Sequence, residues 1–420
     1  MKIIENKYIK EKMYLEKLEN GLTVMILPRE NVMKKYIIWG VNFGSIDNEF
    51  ILPGEIEAKK VPDGVAHFLE HKMFEQRSGI NSLDTLSALG VNANAYTTND
   101  HTAYLYEATD NFDKALDEFM DYVQNPYYTD ENVEKEKGII AQEINMYEDS
   151  SEWKSYLNAM KCMYKDSQVR IDIAGSVKSI KEITKETLYL CYDNFYTPSN
   201  MALVVCGDFE PERILEEIKK RIVKHENREL PKRIYPNEQE EIAQKEMIQD
   251  MKLSNPIFTI GYKDKVQEDM VKRHIAIQII CGILFGKSSK LYKELTEQNI
   301  LIGALSNEYD YSKNYAFLII SGVSRNPEAV VKRVREEIEN AKKEGLNEAD
   351  FIRNKKNFYG NMVIEYNSVE ETGRMFLTDY FKGISAFEYL DKYEEVTKEY
   401  AEKILNEVFV EEKRVTSIVK

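Results

Sequence analysis

The sequence is poor in histidine and cysteine, and it carries no excess of positive charge. Four cysteines, Cys162, Cys191, Cys206 and Cys281, lie scattered without CxxC spacing. That excludes a cysteine-based metal site and reads as four reduced, packed thiols. No run of about eighteen apolar residues occurs, so no membrane span is expected. The opening stretch MKIIENKYIKEKMYLEKLENG is charged throughout and lacks the apolar core of a secretory signal. The cytoplasm is therefore the expected compartment. A net charge of −15 argues against a nucleic-acid surface, which needs a basic patch. It serves solubility and mildly favours basic peptide partners.

What is present suits a globular protein of two domains. Hydrophobic residues make up 43% and charged residues 31% of the 420 positions. LTVMILP and YIIWGVNFGSI read as strands. Gly64 to Gln76 reads as a helix with Asp63 as N-cap after Pro62, and SLDTLSALG as a second helix ending at Gly90. NANAYTT and TAYLYEAT read as paired strands. NFDKALDEFMDYVQN is an amphipathic helix stopped by Pro126. Helical pattern resumes from Asp130 to about Tyr164, and MALVVCGDF reads as a buried strand. Residues 224–243 are polar and hold two prolines, as a linker does. Beyond them the order recurs: strand IFTIGYK, helices VKRHIAIQIICGILFG and SSKLYKELTEQN, strand NYAFLIISGVS, two long helices, closing strand KRVTSIVK. The recurrence reads as a diverged internal duplication with a period near half the chain. The expected division is 1–228, a linker at 229–243, and 244–420.

Two of the five histidines, His67 and His71, lie four apart in GVAHFLEHKMFEQ with Glu70 between them. At this composition about 0.01 such matches arise by chance per chain. On a helix, residues four apart share a face, so both imidazoles can reach one Zn²⁺. Glu70 projects beside that face, where a carboxylate can serve as general base toward water acidified by the metal. Catalytic zinc takes three protein ligands, and no other histidine has motif spacing. VEKEKGIIAQEINMYED offers Glu134, Glu136, Glu143 and Glu148 on one predicted helix. Glu136 and Glu143 share a face two turns apart, but the residues alone do not choose among the four.

HFLEH resembles the inverted zinc motif of the pitrilysin/insulinase (M16) metallopeptidases. EKGIIAQE resembles that family's second signature, two glutamates separated by six residues. The resemblance implies that Glu143 is the third zinc ligand beside His67 and His71, and that Glu136 is the acid orienting the site. NANAYTTNDHTAYLYEA is similar to the family's edge strand after the motif helix, which pairs with extended substrate. Asn94 and Ala95 match the substrate-binding residues, and β-augmentation supplies the physics. IDIAGSVKSIKEITKETLYLCYDNFYTPSNMALVVCGDF also looks like family sequence. The implied fold is α+β: two homologous M16-type α/β-sandwich domains, each an antiparallel sheet covered by helices. Two chains or two linked halves would enclose a chamber in which peptides or unfolded segments are hydrolysed. Within the family the chain is most similar to a Gram-positive subgroup encoded beside a sister protein that lacks the zinc motif.

The second half departs from the family pattern. Family enzymes carry an Arg and a Tyr seven apart that stabilise the substrate oxyanion. Here those positions align with Thr296 and Gly303, and the helix holding His274 has no zinc motif. The expected assembly is a homo- or heterodimer whose partner, an M16-like subunit, supplies the Arg/Tyr pair. The competing reading is a non-catalytic, peptide-binding or scaffold subunit. Glu70 separates the two, because a binding-only subunit needs no general base.

Overall fold

The computed structural model describes residues 1–223 and 228–420. The first four residues of the expected linker stretch, 224–227, lie outside them. The strands are β1 (Lys2–Glu5), β2 (Lys12–Lys17), β3 (Thr23–Pro28), β4 (Lys35–Val41), β5 (Glu49–Ile51), β6 (Ala58–Lys60), β7 (Asn92–Thr97), β8 (Thr102–Ala108), β9 (Met201–Gly207), β10 (Lys232–Arg233), β11 (Glu246–Gln249), β12 (Ile257–Asp264), β13 (Leu301–Tyr311), β14 (Ala316–Ser324) and β15 (Arg414–Val419). The α-helices as far as residue 382 are α1 (Val65–Lys72), α2 (Ser82–Ala88), α3 (Phe112–Gln124), α4 (Asp130–Glu148), α5 (Ser151–Met163), α6 (Val177–Ile180), α7 (Lys185–Phe195), α8 (Pro211–Arg221), α9 (Met270–Phe285), α10 (Lys290–Glu297), α11 (Pro327–Glu344), α12 (Glu348–Glu365) and α13 (Val369–Lys382).

By their contacts the residues form two compact units. One comprises 1–144, 172–235 and 363–386; the other comprises 145–171, 236–362 and 387–420. The expected single cut between 1–228 and 244–420 is therefore not how the contacts divide. Each half of the sequence lends a helix to the other half's unit. α5 buries Leu157, Ala159 and Met160 and packs on β12 and β15. α13 buries Gly373, Phe376, Leu377 and Phe381 and packs on β4 and β9. An apolar helix face must be covered, but its sequence does not say by which sheet. The expected linker also contributes: β10 pairs antiparallel with β5.

The first unit holds a seven-stranded sheet of order β1-β2-β3-β9-β4-β8-β7, and the second a five-stranded sheet of order β11-β15-β12-β14-β13. The last five strands of the first match the five of the second. β3 runs parallel to β9 as β11 does to β15. Every other neighbouring pair in the two series is antiparallel. The internal duplication is thus present in topology, and the fold is α+β with two related domains. β9 is buried along its whole length, as a strand covered on both faces must be. All four cysteines are free and buried. The stretch Met270–Glu297 is apolar enough to cross a membrane by composition, but it is two helices broken at 286–289. α9 buries Ile275, Ile277, Ile279 and Ile280 as a core helix.

Candidate metal centre

α1 is an eight-residue helix that buries Val65, Ala66, Phe68 and Leu69 and leaves His67 and His71 on its other side. It does not begin at an Asp63 cap. The carboxylate of Asp63 instead accepts a hydrogen bond from Asn48 Nδ2 at 2.6 Å. The N-cap is Gly64, at φ +91° with no side-chain cap. A Cβ there would sit 2.4 Å from the Ala174 carbonyl oxygen, so glycine is required both for φ and for close approach. The helix ends at Lys72, earlier than the expected Gln76.

α4 lies against this helix and supplies the carboxylates. His67 Nε2 is 3.7 Å from Glu143 Oε1, and His71 Nε2 is 3.4 Å from Glu143 Oε2. Donor atoms of His67, His71 and Glu143 all lie within 4.8 Å of one another. Tetrahedral zinc bonds of about 2.0–2.1 Å set ligand atoms about 3.4 Å apart, so this donor set fits the ion. Behind it, Glu136 Oε1 is 3.0 Å from His71 Nδ1. That contact fixes the ring and leaves Nε2 toward Glu143. Of the other two glutamates weighed from sequence, Glu134 is exposed and paired with Lys137, and Glu148 is exposed. All the residues of the site belong to the first unit.

Burial shapes the charges here. Burial pushes the Glu70 carboxyl up to about 7, against a hydrogen bond from Thr97 and the nearby His71. Thr97 Oγ1 donates that bond to Glu70 Oε2 at 2.7 Å. Burial, with the neighbouring His71, pushes His67 down to about 3, so it stays neutral, as a metal ligand must. For His71 burial acts downward, but the Glu136 hydrogen bond and the charges of Glu70, Glu136 and Glu143 outweigh it and raise its pKa. For Glu136 burial acts upward and is outweighed by His71 and Lys72, which hold the carboxylate below its ordinary range.

Asn94 and Ala95 lie on β7, the edge strand next to β8. Thr98 N–H donates to the His101 carbonyl at 2.8 Å. By the alternation of an antiparallel ladder, Asn94 and Tyr96 then bond to β8, and the main chain of Ala93, Ala95 and Thr97 faces the open edge. Ala95 N–H donates to its neighbour, Asn94 Oδ1, at 2.9 Å. Thr97 therefore joins the open edge of β7 to Glu70 through a single residue.

Two residues of the centre escape a reading by motif. Thr97 continues the Ala93–Ala95 face of β7, and a hydroxyl ending a row of small residues is the available signal. Lys72 is fully buried. It falls on the core-facing stripe of α1 with Val65, Phe68 and Leu69, where a cation is unexpected. In the second unit, Thr296 lies in α10 and Gly303 in β13 at φ +78°. His274 is bonded to the Tyr389 hydroxyl at 2.7 Å, in keeping with a structural histidine.

Residues 50–176 match the family description "Insulinase (Peptidase family M16)", and residues 182–358 match "Peptidase M16 inactive domain". The Bacillus subtilis protein named "uncharacterized zinc protease YmfH" is 36% identical over 413 residues, covering 97% of this chain and 96% of its own. An Arabidopsis thaliana protein named for the beta subunit of the mitochondrial processing peptidase is 29% identical over 168 residues, 39% of this chain and 31% of that one. A crystal structure from Alicyclobacillus acidocaldarius, described as an M16-like peptidase, superposes with a TM-score of 0.93 at 32% identity, covering 99% of each chain. With likeness running over nearly the whole of both a relative and a solved structure, the chain belongs to peptidase family M16.

Proposed function

We propose that the chain is a zinc-dependent endopeptidase, or the catalytic subunit of one, acting on peptides or unfolded segments. The observation that carries this is the convergence of His67, His71 and Glu143 with Glu70 on the same helix as both histidines. His67, His71 and Glu143 would hold the ion. Zinc in such a donor set supplies a Lewis acid that polarises a carbonyl and acidifies water. Glu70 takes the proton of the attacking water on its carboxylate and gives it to the leaving amine nitrogen. A carboxyl titrating near about 7 suits both halves of that transfer. Thr97 keeps the Glu70 carboxylate turned in one direction, and Glu136 keeps the His71 ring oriented. Asn94 and the β7 main chain hold the substrate as an added strand, giving affinity with little demand on its sequence.

Thr296 and Gly303 leave the second unit without the Arg/Tyr pair. A homologous partner chain carrying that pair is the proposed complement. The same two residues favour the second reading, a peptide-binding or scaffold subunit. Against it stands Glu70, a buried carboxylate held next to a complete ligand set.

The test is cleavage of unstructured peptides by the purified chain with zinc content measured in parallel. Activity that disappears in Glu70→Gln while zinc remains stoichiometric supports the peptidase. Zinc bound with no cleavage, alone or with any homologous partner, would move the assignment to the scaffold.

A further inference from the structure

Lys72 is a lysine with no solvent exposure one residue after a metal-site histidine. Burying an ammonium is costly unless partners replace its water, so what it touches shows its use. Its Nζ lies 2.6 Å from Glu75 Oε1 and 3.6 Å from Glu136 Oε2, and it donates to the Asn132 carbonyl at 3.2 Å. Asn132 and Glu136 are four apart on α4, so they are stacked on one face of it. Lys72 therefore reaches from the last residue of α1 to two successive turns of α4. α1 carries His67 and His71, and α4 carries Glu136 and Glu143. One buried cation thus ties together the two helices whose relative register sets the distances from Glu143 to both histidines.

The Glu136 carboxylate is divided between two partners. Oε1 meets His71 Nδ1 at 3.0 Å and Oε2 faces Lys72. A carboxylate anchored at one oxygen cannot rotate without breaking the contact at the other. We infer that Lys72 is a positioning residue of the metal centre: it anchors Glu136, which in turn orients His71 Nε2 toward the ion.

The inference rests on the zinc reading proposed above. It is tested on the full chain by measuring the zinc dissociation constant against a competing chelator, with the visible spectrum of the cobalt(II)-loaded protein as a second readout. Glu75→Gln alone removes the outer partner of Lys72 and leaves the Glu136 contact, so zinc affinity is unchanged. Lys72→Met combined with Glu75→Gln removes the anchor without leaving Glu75 unpaired. It weakens zinc binding about 10–100-fold, the usual effect of losing such an outer contact, and shifts the cobalt spectrum. Adding these two changes to Glu136→Gln causes no further loss, because both act through one link. That triple variant also leaves no unpaired carboxylate, so it reports even where the double variant does not fold. Wild-type affinity in the folded double variant, or additive loss in the triple, overturns the role of Lys72 and leaves the zinc site standing. A wild-type chain that binds no zinc overturns the zinc reading, and this inference with it.

Discussion

Glu70 is the residue on which burial and function pull in different directions. An ordinary carboxyl at 4.5 is pushed up to about 7 here, chiefly by burial. In the metal-free chain the fold therefore holds this proton more tightly than the unfolded chain does. The associated stability is complete below pH 4.5 and is lost as pH rises through about 7. The rise corresponds to on the order of 3 kcal/mol. In urea unfolding of chelator-treated protein, Glu70→Gln is therefore more stable than wild type above about pH 7, and the gap closes as pH falls to about 4.5. A gap that does not change with pH would show that burial does not penalise the Glu70 charge. Thr97→Val makes a second residue-scale prediction. It deletes the 2.7 Å bond to the carboxylate, so burial is opposed by His71 without the help of Thr97. The acid limb of the kcat/KM profile moves to higher pH by about one unit, the scale of a charged hydrogen bond. At this scale His67, Glu70 and His71 were legible because helix spacing alone puts them together. Glu143 was not separable from Glu134, Glu136 and Glu148 on residues alone. Which face of α4 meets α1 is a tertiary fact, and the family signature supplied it.

At the scale of elements, the edge position of β7 is the feature with consequences. Proline is tolerated on an edge strand where its missing N–H faces outward, and the N–H of Ala95 faces outward. Ala95→Pro should therefore fold with its zinc affinity intact while losing a main-chain donor to the bound peptide. KM rises about tenfold, near the net worth of one hydrogen bond, with kcat less affected. A variant with unchanged KM would mean that substrate does not pair with this edge. The element pattern also shows what sequence withholds. β3, β4, β7, β8, β9, β12, β14 and β15 follow from apolar or alternating runs. β13 does not: its stretch LIGALSNEYDY carries Ser306, Asn307, Glu308 and Asp310, and much of it is exposed. It occupies the edge of its sheet, where only one side is paired and the apolar signal is thin. α13 is hidden for another reason. It presents Phe376, Leu377 and Phe381 at helical spacing, but Gly373 and the short flanking loops blur its start. Gly373 packs against the Tyr36 ring, where a Cβ would come within 2.6 Å. Its small size is set by that sheet rather than by the helix.

At the scale of the whole molecule, the repeat supplies two versions of one unit, and among the described residues only the first brings together a His/His/Glu set able to hold a metal ion. α9 stands in the chain where α1 stands in the first unit, but it holds His274 alone. β13 stands where β7 does, but Gly303 lies at φ +78° beside a register shift between Ile302 and Ser306. A tyrosine at that φ would be strained by about 1–2 kcal/mol, so Gly303 belongs to a locally different strand and is not a simple truncation of a tyrosine. Restoring the pair within this chain by Thr296→Arg and Gly303→Tyr therefore leaves its peptidase rate largely unimproved. Mixing the chain with a homologue that lacks the zinc motif but carries Arg and Tyr seven apart should raise kcat about 10²–10³-fold, the usual worth of oxyanion donors. The same mixture made with Glu70→Gln in this chain should be inactive, which fixes the chemistry on the present subunit. A chain that cleaves at full rate alone, with no gain on mixing, would mean that the oxyanion is stabilised by groups of its own and that no partner is required.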